Sequence, residues 1–143
     1  MTARRRISAC AGLALTAAFP SMGLAQQDQN FSLELNNATD IEGACRLTVV
    51  AVNHTPAVLE KTDYSVVVFD DQQKVSQILV LGFGKVQVGK TKVMQFDLAG
   101  QPCAKISSLL VNDIADCVVA AAPSTVCLDA LKASSRVSIG FGI

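Results

Sequence analysis

Apolar and polar residues alternate in short stretches along most of this chain, and this alternation constrains the fold more than any other feature. Phe31, Leu33 and Leu35 share one face of the first stretch, and polar residues occupy the other face. A period of two residues predicts a half-buried β-strand. Further alternating or β-branched stretches occupy 45–52, 64–69, 74–81, 91–98, 106–111 and 137–141. With a turn signal about every ten residues, they predict an all-β antiparallel sandwich of about seven to eight strands.

One segment, 124–132, departs from this pattern and predicts a short helix. Ser124 can cap its N-terminus, and Leu128 and Leu131 fall on one helical face. Elsewhere, the inward-facing strand residues should form the core between two sheets. The predicted core residues are Phe31, Leu33, Leu47, Val49, Val66, Val68, Phe96, Leu109 and Val111.

Residues 1–25 have the composition of a cleavable signal peptide. Arginines at 4–6 form a basic start, an uncharged apolar run follows at 7–19, and Gly23 and Ala25 precede the predicted cut. The apolar run is too short to span a bilayer as a helix, and no second run is long enough. The basic start favours the general secretory route over the twin-arginine route, because no typical consensus surrounds the arginines, and the choice between the two stays open. Cleavage leaves 26–143 as one domain with no membrane span.

The charge of this domain argues against one class of partner. Three of the twelve basic residues and none of the twelve acidic residues lie in the leader, so the domain has a net charge of −3. A mildly acidic chain with no basic patch does not favour nucleic acid. Tryptophan is absent and Tyr64 is the only tyrosine, so aromatic platforms for stacking bases or sugars are scarce.

Four cysteines remain after removal of the leader: Cys45, Cys103, Cys117 and Cys127. An even number in an exported chain predicts two disulfide bonds, and four cysteines allow three pairings. If the Cys45 strand pairs antiparallel with the strand at 91–98, Cys103 lies beside Cys45. Cys117 and Cys127 flank a loop before the last strand and can reach each other. We therefore predict Cys45–Cys103 and Cys117–Cys127, and a location in the periplasm or outside the cell.

The segment 84–91 (GKVQVGKT) matches the phosphate-binding P-loop pattern, but its context does not. A P-loop leads into a helix whose N-terminal amides hold the phosphate. Here Thr91 leads into an alternating strand, so the segment predicts a β-turn around Gly89. No cofactor is predicted.

The sequence shows no catalytic or metal-binding constellation. His54 is the only histidine and lies among turn residues, and the cysteine spacings fit no common zinc module. The acidic pairs Asp70 with Asp71 and Asp113 with Asp116 are predicted in turns and loops, where turn chemistry explains them. The chain is therefore predicted not to be an enzyme, with no catalytic and no metal residue assigned.

The segments 49–77 and 88–98 resemble the FxLYD type of bacterial immunoglobulin-like domain. The usual hairpin glycine of that pattern is missing, and Gln72 and Gln73 take its place. The resemblance implies an immunoglobulin-like β-sandwich over 26–143. The matching positions are Asn53, Thr55, Phe69, Asp70 and Gly89.

The segments 31–55 and 94–113 are similar to a group of small exported proteins of proteobacteria. This resemblance covers most of the domain, 31–112, and is most specific around Cys45 and Cys103. It implies export and a β-sandwich. It implies no activity, so no catalytic residue is carried over.

These observations predict a non-catalytic periplasmic binding or accessory protein whose partner is another periplasmic or envelope protein. A sandwich with disulfide-braced loops presents its edges and loop tips to a partner. The predicted contact surfaces are the turn at 70–73 and the loop between Cys117 and Cys127. The alternative is a periplasmic thiol-redox or metal-handling protein that uses Cys117 and Cys127. The sequence specifies neither a ligand-binding residue nor an oligomeric state.

Overall fold

The computed structural model describes residues 28–143, and the predicted leader at 1–25 lies outside the described residues. Within 28–143, nine strands form two sheets whose inward faces share one apolar core. The strands are β1 (Phe31–Ile41), β2 (Ala44–Asn53), β3 (Lys61–Asp70), β4 (Val75–Gly82), β5 (Thr91–Ala99), β6 (Ile106–Val119), β7 (Ala122–Pro123), β8 (Leu131–Ser135) and β9 (Gly140–Gly142).

The strand order confirms the predicted all-β sandwich. The first sheet has the order β5-β2-β1-β8, and the second has the order β4-β3-β6-β7, with β9 also paired to β6. Most neighbours are antiparallel, but β1 with β8 and β6 with β9 are parallel pairs. The sheets are therefore mixed, and the described chain has nine strands where seven to eight were expected. The chain passes between the sheets from one of these parallel-paired strands to the other: it leaves the first sheet after Ser135 and enters the second at Gly140.

The core between the sheets follows the alternation in the sequence. Eight of the nine predicted core residues have exposures of 3% or less. The exception is Phe96, which is half-buried because β5 is an edge strand, and its ring packs edge-on against Phe83 at 5.4 Å. Phe31, Tyr64 and Phe83 form the aromatic centre of the core, with ring centroids 6.2 to 6.5 Å apart. Aromatic pairs at these distances stabilise the core beyond the area they bury.

The helix predicted at 124–132 is a single turn, α1 (Val126–Asp129). It ends early because Leu131 already pairs with Phe31 at the start of β8. No helix within residues 28–143 is long and apolar enough to cross a membrane.

β6 is longer than the predicted strand at 106–111 because its pairing with β3 continues through several bulges. Asp113 and Asp116 consequently lie in a strand, opposite Ser65 and Asp63, and their predicted placement in loops is wrong. The last strand, β9, is shorter than the predicted stretch at 137–141, since the chain is still crossing between the sheets up to Ile139.

Replacing Val49 by aspartate tests the inward face of β2. Val49 is 0% exposed, so the new carboxylate would be buried without a partner. That burial costs several kcal/mol, a large part of the roughly 5–15 kcal/mol that stabilises a domain. We expect Val49→Asp to yield no soluble protein with a cooperative thermal melt by circular dichroism. Val93→Asp is the control and should melt cooperatively, because Val93 is 58% exposed on β5. A cooperative melt for Val49→Asp would contradict the face assignment.

Candidate functional site

Both predicted disulfide bonds are present, and each closes a connection between the two sheets. Cys45 in β2 is bonded to Cys103, which begins the 3-10 turn that leads from β5 into β6. Cys117 in β6 is bonded to Cys127 in α1, which leads from the second sheet into β8. In the loop-closure model, bridges that span 58 and 10 residues stabilise the fold by about 4 and about 3 kcal/mol.

The second of these bridges is enclosed by protein. Cys117 is 4% exposed and Cys127 is 0% exposed. The Tyr64 hydroxyl donates a hydrogen bond to the carbonyl oxygen of Cys127 at 2.6 Å, and burial raises the pKa of Tyr64, so the donor proton is retained. Thiol–disulfide exchange requires an accessible sulfur. The geometry therefore does not favour a redox role for this cysteine pair.

The two predicted contact surfaces lie at opposite ends of the second sheet. In the register of β3 with β6, Lys61 lies opposite Val118, whereas Asp70 lies opposite Ile106. β3 has 10 residues, so its ends are about 30 Å apart at about 3.3 Å per residue. One short partner segment cannot contact both surfaces.

Asp70 builds the turn at 70–73 through its side chain. Its Oδ1 accepts hydrogen bonds from the backbone N–H groups of Gln72 and Lys74, at 2.8 and 2.9 Å. Gln73 has a φ of 62°, in the left-handed region that glycine usually occupies. Gln73 thus takes a backbone conformation that favours glycine, and this turn is strained.

The loop closed by the second disulfide contains a tight hairpin between β6 and β7. Val119 lies opposite Ala122, so Ala120 and Ala121 are the two turn residues. Their φ angles are 50° and 60°. Two consecutive left-handed residues are typical of a type I′ turn, where asparagine and glycine are the usual residues. Here two alanines hold that conformation.

Two constraints besides the disulfide hold this hairpin in place. The backbone N–H of Ala121 donates to Oε2 of Glu60 at 3.0 Å, and the N–H of Ser124 donates to the carbonyl oxygen of Cys117 at 3.0 Å. The side chains at 120–123 are all exposed. We call residues 120–123 the β6–β7 tip. It is a small, apolar, exposed and firmly held projection.

Three of the five positions that carry the FxLYD resemblance, Asn53, Thr55 and Gly89, share a hydrogen-bond network at the end of β2. Nδ2 of Asn53 donates to the carbonyl oxygens of Ala57 and Val86, at 2.8 and 3.1 Å. Oδ1 of Asn53 accepts from the N–H and the hydroxyl of Thr55, at 3.0 and 2.7 Å. The N–H of Gly89 donates to the carbonyl oxygen of Asn53 at 2.7 Å. The side chains of Asn53 and Thr55 are thus hydrogen-bonded within and between turns and are not available to a ligand.

The P-loop-like segment is a turn, as predicted. The N–H of Lys90 donates to the carbonyl oxygen of Gln87 at 3.1 Å, and Gly89 has a φ of 70°. β5 begins at Thr91, directly after this turn. The backbone therefore lacks the loop-to-helix arrangement that holds phosphate.

The titratable side chains of residues 28–143 do not converge on a reactive centre. Within that range, no group of three or more His, Cys, Asp or Glu side chains is placed to hold a metal ion. His54 is exposed in the connection between β2 and β3. Asp97 binds Nε of Arg46 at 2.7 Å, and this hydrogen-bonded ion pair lowers the pKa of Asp97. The carboxylate is thus engaged in an exposed ion pair.

An open cavity of about 320 Å³ lies beside the Cys45–Cys103 bridge, between the β1–β2 turn and the loop after β5. Oδ1 of its one carboxylate, Asp40, accepts a hydrogen bond from the N–H of Cys103 at 2.6 Å. Nε2 of Gln101 is buried and has no acceptor among the described residues. One amide without further convergent polar groups does not make a catalytic site.

Comparison with protein-family models, curated proteins and solved structures finds no match to this chain. The functional assignment therefore rests on the residues and on their geometry.

Replacing Gln73 by glycine tests the strain in the turn at 70–73. A residue with a side chain in the left-handed region costs about 1–2 kcal/mol, and glycine avoids most of that cost. We expect Gln73→Gly to raise the free energy of unfolding by about 0.5–1 kcal/mol in urea titrations. Gln72→Gly is the matched control, since Gln72 is not among the residues with positive φ. The interpretation fails if both variants lower stability equally.

The burial of the second disulfide predicts resistance to mild reduction. Without denaturant, Cys117 and Cys127 should stay unmodified when the native protein is treated with a mild reductant and then alkylated. Both should become alkylated once the chain is unfolded, because unfolding exposes the sulfurs. Peptide mass spectrometry measures the modification at each cysteine. Rapid alkylation of Cys117 and Cys127 in the native protein would contradict this expectation and support the thiol-redox alternative.

Proposed function

We propose that this chain is a non-catalytic binding or accessory protein of the periplasm, and that its β6–β7 tip contacts another periplasmic or envelope protein. The observation that carries the proposal is the backbone of Ala120 and Ala121, which is left-handed at two successive exposed alanines. Strained residues of this kind persist only where the surrounding structure over-determines them, and they cluster at binding and clamping elements.

A tip that is already rigid is suited to binding. Ordering a loop on association reduces affinity, and a loop fixed in advance avoids that loss. The disulfide beneath the tip and the Glu60–Ala121 hydrogen bond supply this rigidity. Alanine and proline side chains are short, so a partner surface can approach the backbone of the tip closely.

The location in the periplasm is part of the same proposal. Two disulfide bonds fit a protein of an oxidising, non-cytoplasmic compartment. The predicted leader at 1–25 and the similarity to small exported proteins of proteobacteria support the periplasm in particular.

We also propose that the sandwich belongs to the immunoglobulin-like class that the FxLYD resemblance implies. The roles of the matching residues support this. Asn53, Thr55 and Gly89 share one hydrogen-bonding network, and Asp70 organises the β3–β4 hairpin. Residues that fix turns are the ones a fold class retains in its pattern.

Site-specific photo-crosslinking in the native envelope tests the proposed contact. A photoreactive residue at Ala122 should give an adduct of defined mass with a different envelope protein. The adduct should be lost when the same label is carried by a chain with the Pro123→Arg substitution, since a long charged side chain blocks close approach.

The same label at Gln72 is the matched control, because Gln72 is also exposed but lies in the turn at the opposite end of β3. An adduct from Gln72 alone would show that the partner contacts the turn at 70–73 and not the β6–β7 tip. The absence of adducts from both positions in cells that produce the protein normally would overturn the proposed binding role.

A further inference from the structure

The two disulfide bonds differ in how completely the protein encloses them. Cys45, Cys117 and Cys127 have exposures of 4% or less, whereas Cys103 is half-buried. Cys103 begins a 3-10 turn that contains no buried residue. Thiol–disulfide exchange requires access to one sulfur of a bridge, and exposed bridges are the labile ones. Access therefore separates the Cys45–Cys103 bridge from the enclosed Cys117–Cys127 bridge.

The surroundings of Cys103 leave room for a second sulfur compound. Its neighbours in the chain, Pro102 and Ala104, are exposed, and neither carries a long side chain that could cover it. The open cavity of about 320 Å³ adjoins this bridge, because its lining includes Ala44 and Pro102, the residues directly before the two cysteines. Cavities of this size accept small molecules. A thiol reagent can therefore approach the bridge from solvent without unfolding of the chain.

The burial of the two cysteines selects the sulfur that is attacked. An incoming thiolate forms its new bond in line with the old one, on the side away from the leaving sulfur. Cys45 belongs to the core cluster and is 0% exposed, so an attack on its sulfur would have to pass through the core. Cys103 packs against the edge of that cluster and is the half of the bridge that solvent reaches.

We propose that Cys103 is a thiol-exchange site, at which an external dithiol opens the Cys45–Cys103 bridge in the folded protein. One thiolate of the dithiol attacks Sγ of Cys103, the Cys45–Cys103 bond breaks, and Cys45 leaves as a thiolate that takes up a proton. The second thiolate of the dithiol then attacks the reagent sulfur of the mixed disulfide. Cys103 leaves as a thiolate and also takes up a proton. The dithiol loses two electrons and becomes a disulfide, and the bridge gains them.

Polar contacts hold the segment around Cys103 after the bridge opens. The N–H of Cys103 donates to Oδ1 of Asp40 at 2.6 Å, and Lys105 forms an ion pair with Asp71 at 2.7 Å. The core and the second disulfide take no part in the exchange. The reaction is therefore a local event, and it does not require global unfolding.

The charges beside Cys103 determine which thiols react fastest. Asp40 and Glu42 lie in the turn that lines the cavity, and neither forms an ion pair among residues 28–143. The other charges nearby are paired, Arg46 with Asp97 and Lys105 with Asp71. Two unpaired carboxylates attract a cationic thiol and repel an anionic one. At about 8 Å in water, each such charge changes a rate by about twofold.

Timed reduction of the native protein with dithiothreitol, followed by alkylation and peptide mass spectrometry, tests the proposal. We expect Cys45 and Cys103 to be alkylated at least about tenfold faster than Cys117 and Cys127, because only the first bridge is accessible. The circular dichroism spectrum should remain that of the folded protein. In urea that unfolds the chain, the difference between the bridges should disappear. Equal rates without urea would overturn the proposal.

Reduced thioredoxin, used in place of dithiothreitol, distinguishes the source of the dithiol. Opening of the first bridge by both reagents supports exchange with a dithiol protein. Opening by dithiothreitol alone supports exchange with a small dithiol. If neither reagent opens the bridge in the folded protein, Cys103 is not an exchange site.

A monothiol identifies the sulfur that is attacked. After a brief treatment with cysteamine, alkylation of the released thiol traps the mixed disulfide. The cysteamine adduct should be on Cys103 and the alkyl group on Cys45. The reverse arrangement would contradict the proposed direction of attack.

The charge dependence provides a test with matched variants. At equal thiolate concentration, cysteamine should open the bridge faster than mercaptoethanesulfonate. The double variant Asp40→Asn, Glu42→Gln should reduce that rate ratio about twofold or more, and asparagine at 40 keeps an acceptor for the N–H of Cys103. Asp113→Asn is the control and should leave the ratio unchanged, since Asp113 lies about 20 Å along β6 from the Cys103 end. A ratio that the double variant does not alter would contradict the assigned role of these carboxylates.

This inference does not rest on the proposed function. The β6–β7 tip is held by the Cys117–Cys127 bridge, which the proposed exchange leaves intact. A failure of exchange at Cys103 therefore leaves the crosslinking result at Ala122 unaffected, and the reverse also holds.

Discussion

Disulfide closure of two connections between the sheets is the constraint on which the rest of the structure depends. A sandwich holds its layers together through side chains that interdigitate between them, and this domain has no tryptophan for that purpose. Cys45–Cys103 fixes the passage from β5 to β6, and Cys117–Cys127 fixes the passage from β6 to β8. One bridge sits at each end of β6, so both ends of the central strand of the second sheet are held.

The unusual backbone conformations lie close to these fixed points. The left-handed alanines at 120 and 121 lie between Cys117 and Cys127, and left-handed Gln73 lies in a turn that Asp71 ties to Lys105 at 2.7 Å, two residues after Cys103. A turn that costs about 1–2 kcal/mol per residue with a side chain relaxes unless its ends are held. The disulfides therefore both stabilise the layers and keep strained tips in one conformation.

The alternation of apolar residues was sufficient to predict the strands whose two faces differ. The inward faces of β1, β2 and β3 followed directly from Phe31, Leu47 and Val66, and the strand order then gave the disulfide pairing. The C-terminal third was harder to predict. β8 (LKASS) and β9 (GFG) carry little apolar periodicity, because each is a short edge strand in a parallel pair. The bulges in β6 shift the face on which later residues lie, so Asp113 and Asp116 gave no recognisable strand pattern.

The sequence predicted a contact surface in the loop between Cys117 and Cys127, but it did not single out the tip within that loop, for a different physical reason. Residues with distinctive chemistry, such as Asn53, Thr55 and Asp70, form hydrogen bonds within turns of their own chain. The β6–β7 tip consists of alanine and proline, which carry no motif. What distinguishes Ala121 from most exposed alanines is its φ angle of 60°. That angle is a property of the folded backbone, so in this protein sequence motifs predict the turns, whereas the backbone conformation identifies the tip.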